Sequence, residues 1–279
     1  MTEQLTEDKL ATMMERAESG DRGAACRLGD IYREGEHVAQ DWKAAFRWYH
    51  LGATQGDAEA QNNLGTLYQN GLSCEADSTL AAHWYRQSAE QGNATAQYNL
   101  AKRYQNGDGV DLDLAEAARW FAAAGEQGEY EAICDLGTML RLGHGMPRDL
   151  VAAAALHILA AKQGDGVAMG NIADYREELQ DIALSGNAMA AKHLCEIHNL
   201  GFGVEKSMPL TWTWVRWAKE CCLPPDDADD VAEIAASYAF YKDCLGPDDR
   251  KEGDRVLKEL EKERRITSMG RSAHAPRGI

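Results

Sequence analysis

Arg47-Trp48-Tyr49-His50-Leu51-Gly52-Ala53-Thr54-Gln55-Gly56-Asp57-Ala58-Glu59-Ala60-Gln61-Asn62-Asn63-Leu64-Gly65 is a stretch that returns, altered but readable, through most of the chain. Trp48 recurs as Trp84 and Trp120, with Leu156 in the fourth place. Gln55-Gly56 recurs as Gln91-Gly92, Gln127-Gly128 and Gln163-Gly164. Leu64-Gly65 has counterparts in Leu28-Gly29, Leu100-Ala101 and Leu136-Gly137. Every step is 36 residues. Independent columns that agree on one period in this range signal a solenoid.

The columns divide each unit into two helices. Helix A follows the Gly-Asp or Gly-Asn step, as in Ala58 to Gln69, and ends at Gly71 or its equivalents Gly35, Gly107 and Gly143. A residue without a Cβ most easily takes the left-handed conformation that closes a helix. Asp41, Asp77, Asp113 and Asp149 then stand where each can cap helix B, which runs for example from Asp113 to Gln127. Small residues at Ala24, Ala60, Ala96 and Ala132, and at Ala45, Ala81, Ala117 and Ala153, let helix axes approach. Trp48, Trp84, Trp120, Tyr32, Tyr68 and Tyr104 fill the volume between them and are expected to be core.

The run Leu-Gly-x-x-Tyr-x-x-Gly (Leu28 to Gly35, Leu64 to Gly71), followed by Asp, Ala-x-x-Trp and Ala-x-Gln-Gly, resembles the Sel1-like repeat family. The resemblance implies an all-α fold, a right-handed α/α superhelix of stacked helix-turn-helix repeats with helix A lining the concave face. It also implies an adaptor or scaffold without catalysis. Repeats are expected at 20–55, 56–91, 92–127 and 128–163, preceded over 1–19 by a capping helix that Thr6 can start.

After Gly164 the next Gly-Asn step comes only 22 residues on, at Gly186-Asn187. A shortened unit, 164–185, is therefore expected, with a short helix A (Val167 to Asp174), a short helix B (Glu177 to Leu184) and no loop between them. This predicts a change of curvature between about 164 and 190 that shapes a pocket between Asp135 and His193. A sixth unit resumes over 186–222. From Leu223-Pro224-Pro225 the signature is gone, and two C-terminal capping helices are expected over 223–266, with a disordered tail over 267–279.

The formal net charge of −16 disfavours phosphate backbones and anionic lipid. No apolar run approaches the roughly 20 residues that span a bilayer, and the acidic start Met1-Thr2-Glu3-Gln4 is unlike a secretory signal. Seven cysteines with no Cys-x-x-Cys pair read as reduced thiols, so a cytoplasmic setting is expected.

No phosphate loop, nucleophile elbow or paired-histidine motif is present, so no catalytic residue, cofactor or metal is expected. His193, Cys195, Glu196 and His198 cannot converge from one helix, since His198 sits about 140° around from His193. Trp212, Trp214 and Trp217 read as core, with Trp217 in a mixed column where the alternative is an exposed anchor for a partner or a dimer mate. The polar columns of helix A form the candidate binding face. One reads Arg27, Asn63, Asn99, Asp135 and then His193; a second reads Asp30, Thr66, Lys102, Thr138; a third includes Asn70 and Asn106. Glu196 shares a face with His193. Stacked amides of this kind can donate to and accept from an extended peptide backbone. The expected partner is another protein or extended peptide of basic character. The alternative is a dedicated inhibitor or immunity protein that covers a basic toxin.

Overall fold

The computed structural model describes residues 7–35, 37–221 and 228–273. It is all-α, with fourteen helices and no strand among the described residues. The chain forms two compact units, residues 1–139 with 143–147, and residues 140–142 with 148–279.

In the first unit α1 (Glu7–Glu18) precedes the helix pairs α2 (Arg22–Glu34) and α3 (Trp42–Thr54), α4 (Ala58–Asn70) and α5 (Ser78–Glu90), and α6 (Ala94–Asn106) and α7 (Leu114–Glu126). The first helix of the fourth pair, α8 (Tyr130–Leu142), follows. Helix ends fall where the sequence puts them. Gly35, Gly71, Gly107 and Gly143 are all left-handed C-caps, with φ between 63° and 73°. The Asp41, Asp77 and Asp113 carboxylates accept from the first-turn amides of their helices. Thr6, expected to cap α1, lies outside the described residues.

Helix A starts follow a second capping column, Asp21, Asp57 and Asn93, each accepting from the amide three residues on. Glu129 takes the same place before α8 and makes no capping bond. Its longer side chain is instead half-buried near Glu131, and burial together with that carboxyl raises its pKa. Glu129→Asp should therefore stabilise the chain by about 1 kcal/mol, read as a higher denaturation midpoint.

Within each pair the core is a repeated contact. Gly29 lies flat against the Tyr49 ring, where an added Cβ would come within 2.4 Å of it, and Gly65 lies against Tyr85 in the same way. In the third pair Ala101 and Phe121 hold the two positions in one core cluster. Tyr49, Tyr85 and Phe121 are fully buried. Trp48 is buried, while Trp84 and Trp120 are half-buried at the seams between pairs.

The seams are also clipped by glutamines. Gln55 Nε2 donates to the Ala17 carbonyl (3.3 Å). Gln91 donates to Gln61 Oε1 (2.7 Å), and Gln61 donates to the Ala53 carbonyl (3.1 Å). Gln127 to Gln97 (2.8 Å) and Gln97 to Ala89 (3.2 Å) repeat the chain of bonds one unit on.

The second unit holds α9 (Leu150–Lys162), α10 (Gly166–Leu184), α11 (Ala188–Leu200), α12 (Met208–Cys221), α13 (Ala228–Cys244) and α14 (Pro247–Ala273). The division of the chain falls inside the fourth repeat, ahead of the shortened unit. The composition of α9, Leu-Val-Ala-Ala-Ala-Ala-Leu-His-Ile-Leu-Ala-Ala-Lys, explains this. It is apolar nearly all round, and such a helix needs neighbours on several sides, here α10 and α11.

The two short helices expected between Val167 and Leu184 are one continuous helix of 19 residues. Asp174-Tyr-Arg-Glu-Glu-Leu-Gln-Asp181 contains no glycine or proline to stop a helix, and most of these residues favour one. Helix α14 also runs past the expected end near Arg265 to Ala273, into the stretch expected to be a tail. Residues 274–279 and Leu223-Pro224-Pro225 lie outside the described residues.

Trp212, Trp214 and Trp217 are all buried. Trp212 stacks on Tyr238 of α13 (5.5 Å between ring centroids) and its Nε1 donates to Asp254 of α14 (2.7 Å). Trp217 Nε1 donates to the Ala183 carbonyl (2.9 Å). The mixed column at Trp217 is thus core, as its indole bond requires.

Candidate partner-binding face

Ten of the twelve helix-A candidates lie in the first unit: Arg27, Asp30, Asn63, Thr66, Asn70, Asn99, Lys102, Asn106, Asp135 and Thr138. Arg27, Asn70 and Asn106 are exposed, and the other seven are half-buried. Each sits on helix A because Leu28, Leu64, Leu100 and their partners turn the opposite face into the core.

The second column is held from behind by helix B. Tyr49 Oη donates to Asp30 Oδ1 at 2.7 Å. Tyr85 Oη lies 3.1 Å from Thr66 Oγ1 and donates to Gln69 at 2.7 Å. Lys102 Nζ stands over the Phe121 ring, 5.8 Å from its centroid. The aromatic column Tyr49, Tyr85, Phe121 therefore positions the polar one, nineteen residues before it. Sequence reasoning missed this pairing, although the 36-residue spacing of those three rings carries the signal.

Neighbouring repeats are also linked across the face. Asn99 Nδ2 donates to Asn62 Oδ1 (3.1 Å), and Lys102 pairs with Asp135 (3.2 Å). Asn70 donates to the Thr66 carbonyl (3.0 Å) and Thr138 to the Cys134 carbonyl (3.1 Å). The amide row is thus oriented by the protein before any partner arrives, which lowers the ordering entropy of binding.

The remaining candidates, His193 and Glu196, belong to the second unit. His193 is 4% exposed and therefore not presented at a surface. It lies 3.7 Å from Glu196, which accepts from Lys162 Nζ (3.0 Å). Burial alone raises the Glu196 pKa, but His193, Lys192 and Lys162 outweigh it and hold the carboxyl at about 2. His198, also 4% exposed, is pushed down to about 4 by burial, with Arg176 adding to the shift. Both shifts make the unfolded chain the better proton acceptor in acid. Stability should fall as pH drops from about 6.5 towards 4 through His198, and from about 4.5 towards 2 through Glu196. His198→Gln should flatten only the upper part of that slope, at most about 1.4 kcal/mol per pH unit. Denaturation midpoints measured across this range check the sign and the window.

A Sel1 repeat model matches residues 23–57, 58–93, 94–129 and 131–165, and the chain belongs to the Sel1 repeat family. Among solved structures it is similar to c5321, a protective antigen present in uropathogenic Escherichia coli strains and displaying an SLR fold. The two are 25% identical, with a TM-score of 0.58, over 90% of this chain and 59% of that one. This chain thus spans under two thirds of that relative's length. It is also similar to a Sel1 repeat protein from Oxalobacter formigenes, 22% identical with a TM-score of 0.59, over 83% of this chain and 93% of that one. No curated protein matches the chain.

Proposed function

We propose that the protein is a non-catalytic interaction module and that the helix-A face of its first unit binds an extended segment of a partner protein. Sel1 repeats generally mediate protein–protein interaction. The observation that carries the reading here is a polar row half-buried on one face of consecutive repeats, Asn63, Asn99 and the Lys102–Asp135 pair, in which Asn99 is held by Asn62 and Lys102 by Asp135. Such a row offers donors and acceptors in series to a peptide backbone. Among the described residues no helix is long and apolar enough to cross a membrane. Among the described residues Cys26, Cys74, Cys195 and Cys244 are free thiols, which supports a reducing, cytoplasmic setting.

The test is affinity purification of the full chain with mass spectrometry, followed by titration of the identified partner. Replacing Asn63, Asn99 and Lys102 together with alanine should weaken that partner at least about tenfold, a loss of about 1.4 kcal/mol. Helicity should remain, because each exposed or half-exposed link removed is worth about 1 kcal/mol or less. Full affinity in the folded triple variant would move the interface off this face. The net charge of −16 favours a basic partner and supports a second reading, a dedicated inhibitor of a basic protein. Nanomolar affinity for one such partner, with loss of that partner's activity, would select it.

A further inference from the structure

Helices α2 and α4 bring three metal-ligating side chains together where the first repeat meets the second. Cys26 and Asp30 stand one turn apart on α2, and Glu59 comes from the first turn of α4. The thiol sulfur and one carboxylate oxygen from each acid all lie within 4.8 Å of one another. Cys26 is 4% exposed, with its thiol turned into the carboxylates; Asp30 is half-buried and Glu59 exposed. Tyr49 Oη (2.7 Å) and Arg33 (3.2 Å) both hold Asp30 through Oδ1, which fixes the carboxylate in place. Fixed outer partners of this kind characterise ligating carboxylates.

The repeat fold itself does not demand the triad. At the next junction the same three columns hold Asn62, Thr66 and Thr95; then Tyr98, Lys102 and Glu131; then Cys134, Thr138 and Val167. Only the first junction offers three ligand-type side chains, and it does so with one soft and two hard donors. We propose that Cys26, Asp30 and Glu59 form a binding site for a divalent cation of the zinc class.

The chemistry favours that class. A bound dication reverses the local electrostatics: the thiol proton leaves to solvent and the thiolate becomes a ligand. Thiolate selects zinc over magnesium or calcium. Zinc distances of about 2.3 Å to sulfur and 2.0–2.2 Å to oxygen require the donors to draw in slightly. Glu59, exposed at the start of its helix, has the rotamer freedom to do so. Three protein ligands leave a fourth position for water.

The test is titration of the reduced full chain with Co2+, an optical stand-in for zinc, followed by competition with Zn2+. One equivalent should give a thiolate-to-cobalt charge-transfer band with tetrahedral ligand-field bands, and zinc should displace it. C26S should abolish the charge-transfer band. D30N and E59Q should each weaken binding about tenfold or more, and E59Q alters only an exposed side chain, so its fold is not at risk. C244S, which removes the exposed thiol, should change nothing. Absence of the band, its survival in C26S, or unchanged affinity in both carboxamide variants would overturn the proposal.

Discussion

Gly109→Ala should destabilise the first unit by about 2–5 kcal/mol. Gly109 has φ +74°, a backbone conformation that costs an alanine about 1–2 kcal/mol. The greater part comes from contact. An added Cβ would sit 2.0 Å from the Ser78 carbonyl oxygen and 2.7 Å from the Thr79 nitrogen, both backbone atoms at the start of α5. No side-chain rotation relieves such a clash, so the loop must lift from the helix beneath it. Chemical denaturation with hydrogen exchange along α5 and α6 measures the loss. A change below about 1 kcal/mol would mean that the loop yields freely. Ser73 supplies the contrast, because it holds the same column with φ +67° and donates from its hydroxyl to the Trp42 carbonyl (3.0 Å). Ser73→Gly relieves strain and removes a bond of similar worth, so it should be neutral to within about 1 kcal/mol.

Trp214→Ala should cost the second unit about 3–5 kcal/mol. Trp214 is 2% exposed and among the largest fully enclosed side chains. Helix α12, which carries it, packs against α11, α13 and α14, so the void cannot close by moving one neighbour. Trp217→Phe is the smaller companion. It keeps most of the packing and loses one buried hydrogen bond to the Ala183 carbonyl, which the Gly186 amide still satisfies, at about 0.5–1.5 kcal/mol. Because the chain forms two compact units, one midpoint need not describe it, and amide exchange resolved by helix is the sounder measure. Equal losses for W214A and W217F would show that the indole bond, not the volume, dominates at α12.

The 36-residue period made the helix ends legible because capping is local: Gly71 and Asp113 act on their own turn of backbone. The fusion of α10 was not, since the lost loop leaves the same spacing for a shortened hairpin as for one helix, although nothing between Asp174 and Asp181 breaks a helix. The candidate face was legible as a face, by its polar columns. What the columns could not reveal is which polar atoms are already engaged. Asp30 is held by Tyr49, Thr66 meets Tyr85, and His193 is enclosed, all through contacts between helices. The convergence of Cys26 and Asp30 with Glu59 crosses a repeat boundary and no linear motif announces it.

The glutamine clips make the middle of the first unit modular in a way the ends are not. Gln61 and Gln91 lie in one repeat, Gln97 and Gln127 in the next, and each pair reaches back to a main-chain oxygen that any preceding unit provides. Duplicating or deleting one whole interior unit therefore leaves every amide with its mate. The flanking units lack this property. Ala25 and Ile133 stand in the Gln61 column, so a further copy of either flanking unit adds a glutamine with no side-chain counterpart. Growth and loss of this array by tandem recombination should thus be tolerated in its interior and resisted at its edges.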